Sequence, residues 1–276
     1  MIKLGIMARE TREASLEDTI AFAYEELKLD TIDLHLSGVP REAAYLTKIK
    51  MLCHRHGLCI GYLGGGSLAG PEAELRKMVE QAKEDVDLTA FMGAELLRLF
   101  ARHKWPDTVE EQEALWGPMI RSFQEVSDYA AGRGVVVGVQ NHDESSFAMT
   151  ADQVLRILRE TNRDNFTFIM DTGQWRGAIG SDPRGQFDPN VDLYKDYLER
   201  TAPYATCVRA KIYKIDSGRE EFLDYGRIMK ILKAVNFNGI MSIVFEGGDR
   251  NTCDRQECLR LAVRHLREVM AATYGD

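Results

Sequence analysis

Ionisable, amide and aromatic side chains recur along this chain, each within a short apolar run, at its end or just after it. Carboxylates, imidazoles, ammonium groups and guanidinium groups are the side chains that move protons, ligate metals and hold developing negative charge in enzymes. In chain order they are Arg9, Glu10, His35, Arg98, Arg102, His103, Gln140, Asn141, His142, Asp171, Gln174, Trp175, Arg209, Lys211 and Glu246. If the apolar runs all end at one face of the fold, this convergence predicts an enzyme, although it does not identify the reaction.

The apolar runs alternate strictly with longer amphipathic segments. Strands are predicted at residues 2–7, 31–35, 59–63, 96–100, 135–140, 166–170, 205–213 and 240–245. Helices are predicted at residues 16–27, 41–56, 72–93, 109–131, 151–159, 191–200, 225–235 and 255–272. Such alternation indicates parallel βαβ units, and strands that are apolar throughout are typical of a sheet buried on both faces.

The number of units decides between two parallel architectures. A length of 276 residues, eight βα units and the lack of a GxGxxG loop after the first strand favour a closed barrel over a doubly wound open sheet. We therefore predict an α/β protein with one domain, a (β/α)8 TIM barrel over residues 1–276. In this fold catalytic groups lie where the strands end, so the polar residues above should lie together.

Two segments are predicted to be loops next to the site. Residues 172–190 are rich in Gly, Pro and Asp and longer than a typical connection, which predicts a segment that covers the site. The run Gly64-Gly65-Gly66 follows the third predicted strand. It is interpreted as a flexible loop, with a close approach to a phosphate as the alternative.

Composition narrows the class of protein. The chain is 45% hydrophobic and 28% charged, as in a soluble globular protein, and its net charge of -8 argues against nucleic acid as a partner. The five cysteines follow no zinc or redox spacing, which predicts free thiols in a reducing cytoplasm. Neither a signal peptide nor an apolar run long enough to span a membrane is present in the sequence given, so we predict a cytoplasmic protein.

Several motifs together resemble a known family. The stretches VQNH at residues 139–142, TADQVLRIL at 150–158 and DTGQ at 171–174 look like the xylose-isomerase-like superfamily of sugar phosphate isomerases and epimerases. The stretches LRLF at 97–100, RAK at 209–211 and SIVFEG at 242–247 continue this resemblance over essentially the whole chain.

The resemblance implies one divalent metal, such as manganese, magnesium, cobalt or zinc, bound by a Glu, an Asp, a His and a second Glu. Here the corresponding positions hold Gln140, Asp171, Arg209 and Val244, so only Asp171 matches. Glutamine is a weak neutral ligand, and arginine cannot bind a cation. Two possibilities stay open. Either Glu246, two residues beyond Val244, forms a new ligand set with Asp171 and Gln140, or Arg209 supplies the charge of the metal and no cofactor is bound.

What the resemblance implies for function is a carbohydrate-active isomerase or epimerase. Such an enzyme abstracts a proton next to the carbonyl of a ketose, keto-sugar or related polyol. The expected catalytic residues are Asp171, Glu246, His142 and Lys211. The expected substrate-binding residues are Arg98, Gln140, Gln174, Arg209, His35 and Trp175.

Three other functions remain open from the sequence. With Arg209 in the metal position, a metal-independent lyase or enolising enzyme on an oxidised sugar is chemically reasonable. The replaced ligands also fit a non-catalytic sugar-binding or partner subunit. Base-excision nuclease chemistry, known in a relative of this superfamily, is disfavoured by the acidic net charge. The expected partner is a small-molecule sugar, with no nucleic acid and no membrane, and a homo-oligomer is left open.

Overall fold

Eight parallel strands close into a barrel in the computed structural model, which describes residues 2–8, 15–179 and 187–275. They are β1 (Lys3–Met7), β2 (Thr31–His35), β3 (Cys59–Ser67), β4 (Leu96–Phe100), β5 (Val136–Gln140), β6 (Phe166–Asp171), β7 (Ala205–Ile212) and β8 (Ile240–Phe245). Each strand pairs with the next in the chain, and β8 pairs with β1. The predicted (β/α)8 architecture is confirmed.

Helices alternate with these strands. They are α1 (Leu16–Ala21), α2 (Ala43–Arg55), α3 (Glu72–Met92), α4 (Val109–Ala131), α5 (Ala151–Thr161), α6 (Glu199–Thr201), α7 (Tyr225–Ala234) and α8 (Arg255–Tyr274). The helix predicted at residues 191–200 is mostly a wider π-helical turn, Leu193–Leu198, which leads into the short α6. None of the helices that the structure describes is long and apolar enough to cross a membrane.

Side-chain caps fix where the two helices beside β5 begin. Thr108 starts α4 and exchanges hydrogen bonds with Glu111, and Thr150 starts α5 and does the same with Gln153. Each cap satisfies backbone N–H groups that the first helical turn leaves without a partner. The start of α5, and with it the loop that follows β5, is therefore set by local sequence.

The three glycines are part of β3, so the prediction of a flexible loop there is wrong. Gly64 lies in register with Arg98 of β4 and is fully covered. A Cβ atom at Gly64 would overlap the Arg98 guanidinium, and one at Gly65 would lie 2.9 Å from the Asp85 carboxylate. Glycine is needed here because charged side chains pack directly against the strand.

Alternate residues of the strands point into the barrel. Near its base, Tyr62, Leu96, Ile169 and Cys207 form an inner apolar cluster from four strands. Residues two and four positions further along each strand then approach the carboxyl-terminal mouth. A larger apolar core lies between the strands and the helices. This period of two decides which polar residues meet at the mouth.

One cysteine pair corrects the expectation of free thiols. Cys253 and Cys258 form a disulfide with Cα atoms 6.0 Å apart, whereas Cys53, Cys59 and Cys207 are free. The pair joins the loop after β8 to the first turn of α8, which begins at Arg255. Spacing in sequence did not predict the pair because the helix start brings the two residues together.

A backbone contact at the start of β8 gives a first prediction. A Cβ atom at Gly239 would overlap the carbonyl oxygen of Thr206 and lie 3.0 Å from the Phe237 ring. Gly239→Ala is therefore expected to lower the free energy of unfolding by about 1 to 3 kcal/mol. Gly117→Ala is the matched control: this glycine lies within α4, and its nearest atom is the flexible end of Arg121 at 3.5 Å. The control should raise stability by up to about 1 kcal/mol in urea unfolding. Equal effects of the two substitutions would contradict the argument.

Candidate active site

Register between the last three strands brings the charged residues together. Asp171 at the end of β6 lies beside Arg209 of β7. Lys211, two residues further along β7, lies beside Val244 of β8. Glu246 follows β8 directly and shares the side of Val244 because side chains alternate. The sequence pattern therefore places all five positions at one side of the barrel mouth.

The carboxylate of Asp171 is the centre of this group and is fully buried. Its Oδ1 accepts hydrogen bonds from the backbone N–H groups of Gly173 and Gln174, both at 3.1 Å. Its Oδ2 lies 3.3 Å from Arg209 Nε and 3.6 Å from Lys211 Nζ. The Gln140 amide donates to the same Oδ2 at 3.4 Å. Asp171 thus binds two cations and a turn of backbone.

The second carboxylate, Glu246, forms an ion pair with Lys211. Lys211 is fully buried, whereas the Glu246 side chain is 39% exposed. Lys211 therefore bridges a buried carboxylate and an accessible one. Because Lys211 contacts both carboxylates, Glu246 faces the same site as Asp171.

Two further contacts cross the barrel interior. Arg209 Nη1 of β7 donates to the Tyr62 hydroxyl of β3, and these strands are not neighbours. The Ser242 hydroxyl of β8 donates to Asp33 Oδ2 of β2. Asp33 Oδ1 also accepts from the backbone N–H of Tyr62 at 3.2 Å. A polar layer therefore lies directly beneath Asp171.

Burial changes the proton affinities of this layer. Burial raises the pKa of Asp33 to about 7, although Ser242, Arg209, the Tyr62 N–H and Arg98 oppose the change. Burial also raises the pKa of the Tyr62 hydroxyl above its usual range. Burial opposes the charge on Arg209, but Tyr62 and nearby carboxylates raise its pKa, so the guanidinium stays charged.

The residues at the mouth do not fit the divalent metal that the resemblance implies. Val244 has no donor atom, and Arg209 is a cation that contacts Asp171 where a metal ligand is expected. Gln140 turns its amide N–H, not its oxygen, toward Asp171, and Glu246 is paired with Lys211. The carboxylates of Asp171 and Glu246 are therefore already bound to Arg209, Lys211 and the Gln140 amide, which a cation would have to displace.

Among the described residues, one group of three His, Cys, Asp or Glu side chains has its donor atoms close enough for an ion. It consists of Asp216, Cys253 and Cys258, and the two cysteines are joined as the disulfide. It belongs to the loops after β7 and β8, and Asp171 and Glu246 are not part of it.

The predicted site residues His142 and Arg98 both contact the aromatic ring of Phe100. The Phe100 ring packs at 4.1 Å under the Arg98 guanidinium and edge-on to His142, with ring centres 6.0 Å apart. His142 Nδ1 lies 3.1 Å from Asp143 and 3.2 Å from the Glu144 carbonyl oxygen. The expected proton transfer between His142 and Asp171 or Glu246 stays a prediction.

Three other predicted substrate-binding residues have mainly structural contacts. His35 Nδ1 lies 2.7 Å from the Ser37 hydroxyl, where it caps a short turn after β2. Gln174 acts through its backbone, since its N–H binds Asp171 and its carbonyl accepts from Asn141 at 2.7 Å. Trp175 is fully buried and its ring stacks on Tyr197 at 4.9 Å, so its contact with a sugar stays a prediction.

Some expectations fall on residues outside the described part of the chain. Arg9 and Glu10 lie in the interval between residues 8 and 15. Residues 180–186, within the segment predicted to cover the site, are likewise not described. That covering role stays a prediction.

Two further residues near this site were not predicted, although the alternation of side chains along a strand points to both. Counting back two from His35 gives Asp33, a carboxylate inside an apolar strand, and counting on two from Lys211 gives Tyr213. Within the described residues no group hydrogen-bonds the buried Tyr213 hydroxyl. Asp171, Glu246 and Asp143 contribute to raising its pKa, after burial itself, so it belongs to the same electrostatic neighbourhood.

Comparison with known proteins decides the family. The family model of the xylose isomerase-like TIM barrel matches residues 21–269. The chain belongs to this family. No curated protein matches it by sequence.

Solved structures share the barrel over its full length. The D-psicose 3-epimerase of Clostridium cellulolyticum H10 has a TM-score of 0.77 at 16% identity, over 98% of this chain and 99% of its own. The D-allulose 3-epimerase of Methylomonas sp. gives 0.73 at 16% identity, over 97% and 98%. An L-ribulose 3-epimerase gives 0.73 at 17% identity, over 99% and 96%. At these identities the likeness shows the fold alone.

Proposed function

We propose that this xylose isomerase-like barrel is a sugar isomerase or epimerase that moves a proton at the carbon next to the carbonyl of a ketose or keto-sugar. The observation that carries the proposal is the contact of accessible Glu246 with buried Lys211, which is itself bound to Asp171. This arrangement puts a carboxylate at the open side of the site and fixed positive charge behind it. The similarity to structures named as ketose 3-epimerases adds support to this substrate class.

The proposed reaction uses the accessible carboxylate as the base and the buried cations to stabilise negative charge. Glu246 takes the proton from carbon, and the electron pair of the C–H bond moves to the carbonyl oxygen, which gives an enolate. An N–H donor on Lys211 or Arg209 holds the negative oxygen. Delivery of a proton to the opposite face by a second acid or by solvent, while Glu246 keeps the proton that it took, gives the epimer. Return of the proton from Glu246 to the neighbouring carbon, with proton exchange between the two oxygens, gives the isomer. Arg98, Gln140 and His142 are proposed to orient the sugar.

A panel of ketoses and keto-sugars in deuterium oxide tests the proposal. Proton abstraction next to a carbonyl replaces hydrogen by deuterium there, which NMR detects even when the equilibrium favours the starting sugar. Interconversion with deuterium incorporation is the expected result. If no sugar of a broad panel is bound or exchanged, the proposal loses its support and the non-catalytic alternative gains it.

Glu246→Gln gives a direct prediction for the proton-transfer group. The substitution keeps the size of the side chain but removes the base, so kcat is expected to fall by about 100- to 10,000-fold. Glu221→Gln is the matched control, because Glu221 is also 39% exposed and pairs with a lysine, Lys214, at 3.1 Å. Its kcat should stay within about twofold of that of the wild type, because a surface ion pair contributes little. Equal loss in both variants would remove Glu246 from the proposed role.

A second reaction follows from the same cations. Arg209 and Lys211 beside Asp171 also suit a lyase on an oxidised sugar. The same enolate then expels a hydroxide or alkoxide from the next carbon, with a proton supplied to it. Mass spectrometry separates the two reactions: an epimer or isomer keeps the mass of the substrate, whereas elimination of hydroxide lowers it by one water.

A further inference from the structure

We infer that Arg209 and Lys211 together supply the positive charge that a divalent metal would supply in this barrel, and that the site works without a resident metal. The inference deepens the proposed function, because it names the groups that hold the substrate oxygen. It is tested by metal binding, which does not depend on turnover.

The first support is the position of the two cations. Arg209 and Lys211 are alternate residues of β7 and point to the same side of the strand. Both contact Oδ2 of Asp171, at 3.3 and 3.6 Å, and both are at least 95% buried. A divalent ion at this carboxylate would lie beside two buried positive charges and be repelled by each of them.

The second support is that both oxygens of Asp171 are already in use. Oδ1 accepts from two backbone N–H groups, and Oδ2 receives the cations. A metal would have to displace these donors and leave buried charges unpaired, which is costly. Asp171 therefore anchors the cations instead of ligating an ion.

The third support is the way in which Arg209 is held. Its Nε binds Asp171 and its Nη1 binds the buried Tyr62 hydroxyl, so two of its nitrogens fix the plane of the guanidinium. Within the described residues no hydrogen bond involves Nη2. The N–H groups on that nitrogen are the donors we assign to a sugar oxygen. Because they are fixed before the substrate binds, little reorganisation is needed when charge develops.

The test compares metal binding by the wild type with binding by a variant that restores the family ligand types. Gln140→Glu, Arg209→His and Val244→Glu are combined in one protein, and each protein is incubated with Mn²⁺ or Co²⁺ and desalted. We expect metal far below one equivalent in the wild type and close to one equivalent in the triple variant. In the triple variant, bound Co²⁺ would also give a visible absorption band that changes when Asp171 is replaced by asparagine.

The controls keep the outcomes distinct. Asp216→Ala removes the carboxylate of the other candidate donor group found among the described residues and keeps the Cys253–Cys258 disulfide, so that any metal bound there is recognised. Stoichiometric Mn²⁺ or Co²⁺ in the wild type, lost in Asp171→Asn, would overturn the inference whatever the triple variant does. Wild-type protein without metal supports it even if the triple variant does not fold. If no sugar reacts, the proposed function fails, yet the metal measurement still decides this question.

Discussion

Replacing Asp171 with alanine is expected to lower the free energy of unfolding by about 3 to 5 kcal/mol. The carboxylate is fully buried and is the shared counter-charge of Arg209 and Lys211, which are themselves buried. Its removal leaves buried Arg209 without its paired carboxylate and leaves Lys211 with Glu246 as its remaining ion-pair partner among the described residues. It also leaves the backbone N–H groups of Gly173 and Gln174 without their acceptor.

Urea unfolding of three proteins separates this effect from a general loss of an ion pair. Asp171→Asn keeps an oxygen for the backbone donors and should lose less stability than Asp171→Ala. Asp128→Ala removes a carboxylate that also pairs with an arginine, Arg163, but at the surface, with Asp128 58% exposed. That control should lose at most about 1 kcal/mol. If Asp171→Ala lost no more than Asp128→Ala, the two cations would not depend on Asp171.

The fold could be predicted because each βα unit carries its own signal. The strand β5 (Val136–Gln140) contains three valines, and the helix α5 after it begins at a Thr150–Gln153 cap that is visible in the sequence. The glycines of β3 misled the prediction because their role depends on Arg98 and Asp85 of other elements. The disulfide was missed for the same reason, since it depends on how the loop after β8 meets α8.

The candidate site was predicted in part, and the limit is again physical. Position at a strand end identified Asp171, Arg209, Lys211 and Glu246, because parallel strands end at one face. The partners within the barrel were not identified, because a contact such as Arg209 with Tyr62 joins strands that are not neighbours. The stacking of Trp175 on Tyr197 was likewise not predicted, because it depends on how the turn after β6 meets the residues before α6.

The buried carboxylate Asp33 gives the second large expected effect, a loss of stability as the pH rises. Burial raises its pKa from 3.8 to about 7 in the folded protein. Between these two values the unfolded chain has released the proton while the folded protein keeps it. Folding is then favoured at the lower pH, and the contribution is lost as the pH rises to about 7. Over the whole interval the contribution of Asp33 to the free energy of unfolding changes by an amount on the order of 4 kcal/mol. Between pH 5 and pH 8 it changes by about 3 kcal/mol.

Urea unfolding at pH 5 and pH 8 tests this effect against Asp33→Asn. The amide keeps an acceptor for the Tyr62 N–H and can donate to the Ser242 hydroxyl, but it cannot ionise. The free energy of unfolding of the variant, relative to that of the wild type, should therefore increase as the pH rises. Asp128→Asn is the control, since pairing with Arg163 lowers the pKa of Asp128 and keeps it ionised across this interval. If the wild type and Asp33→Asn had parallel pH profiles, Arg209 and Arg98 would be holding Asp33 ionised throughout. The layer beneath Asp171 would then carry a permanent negative charge.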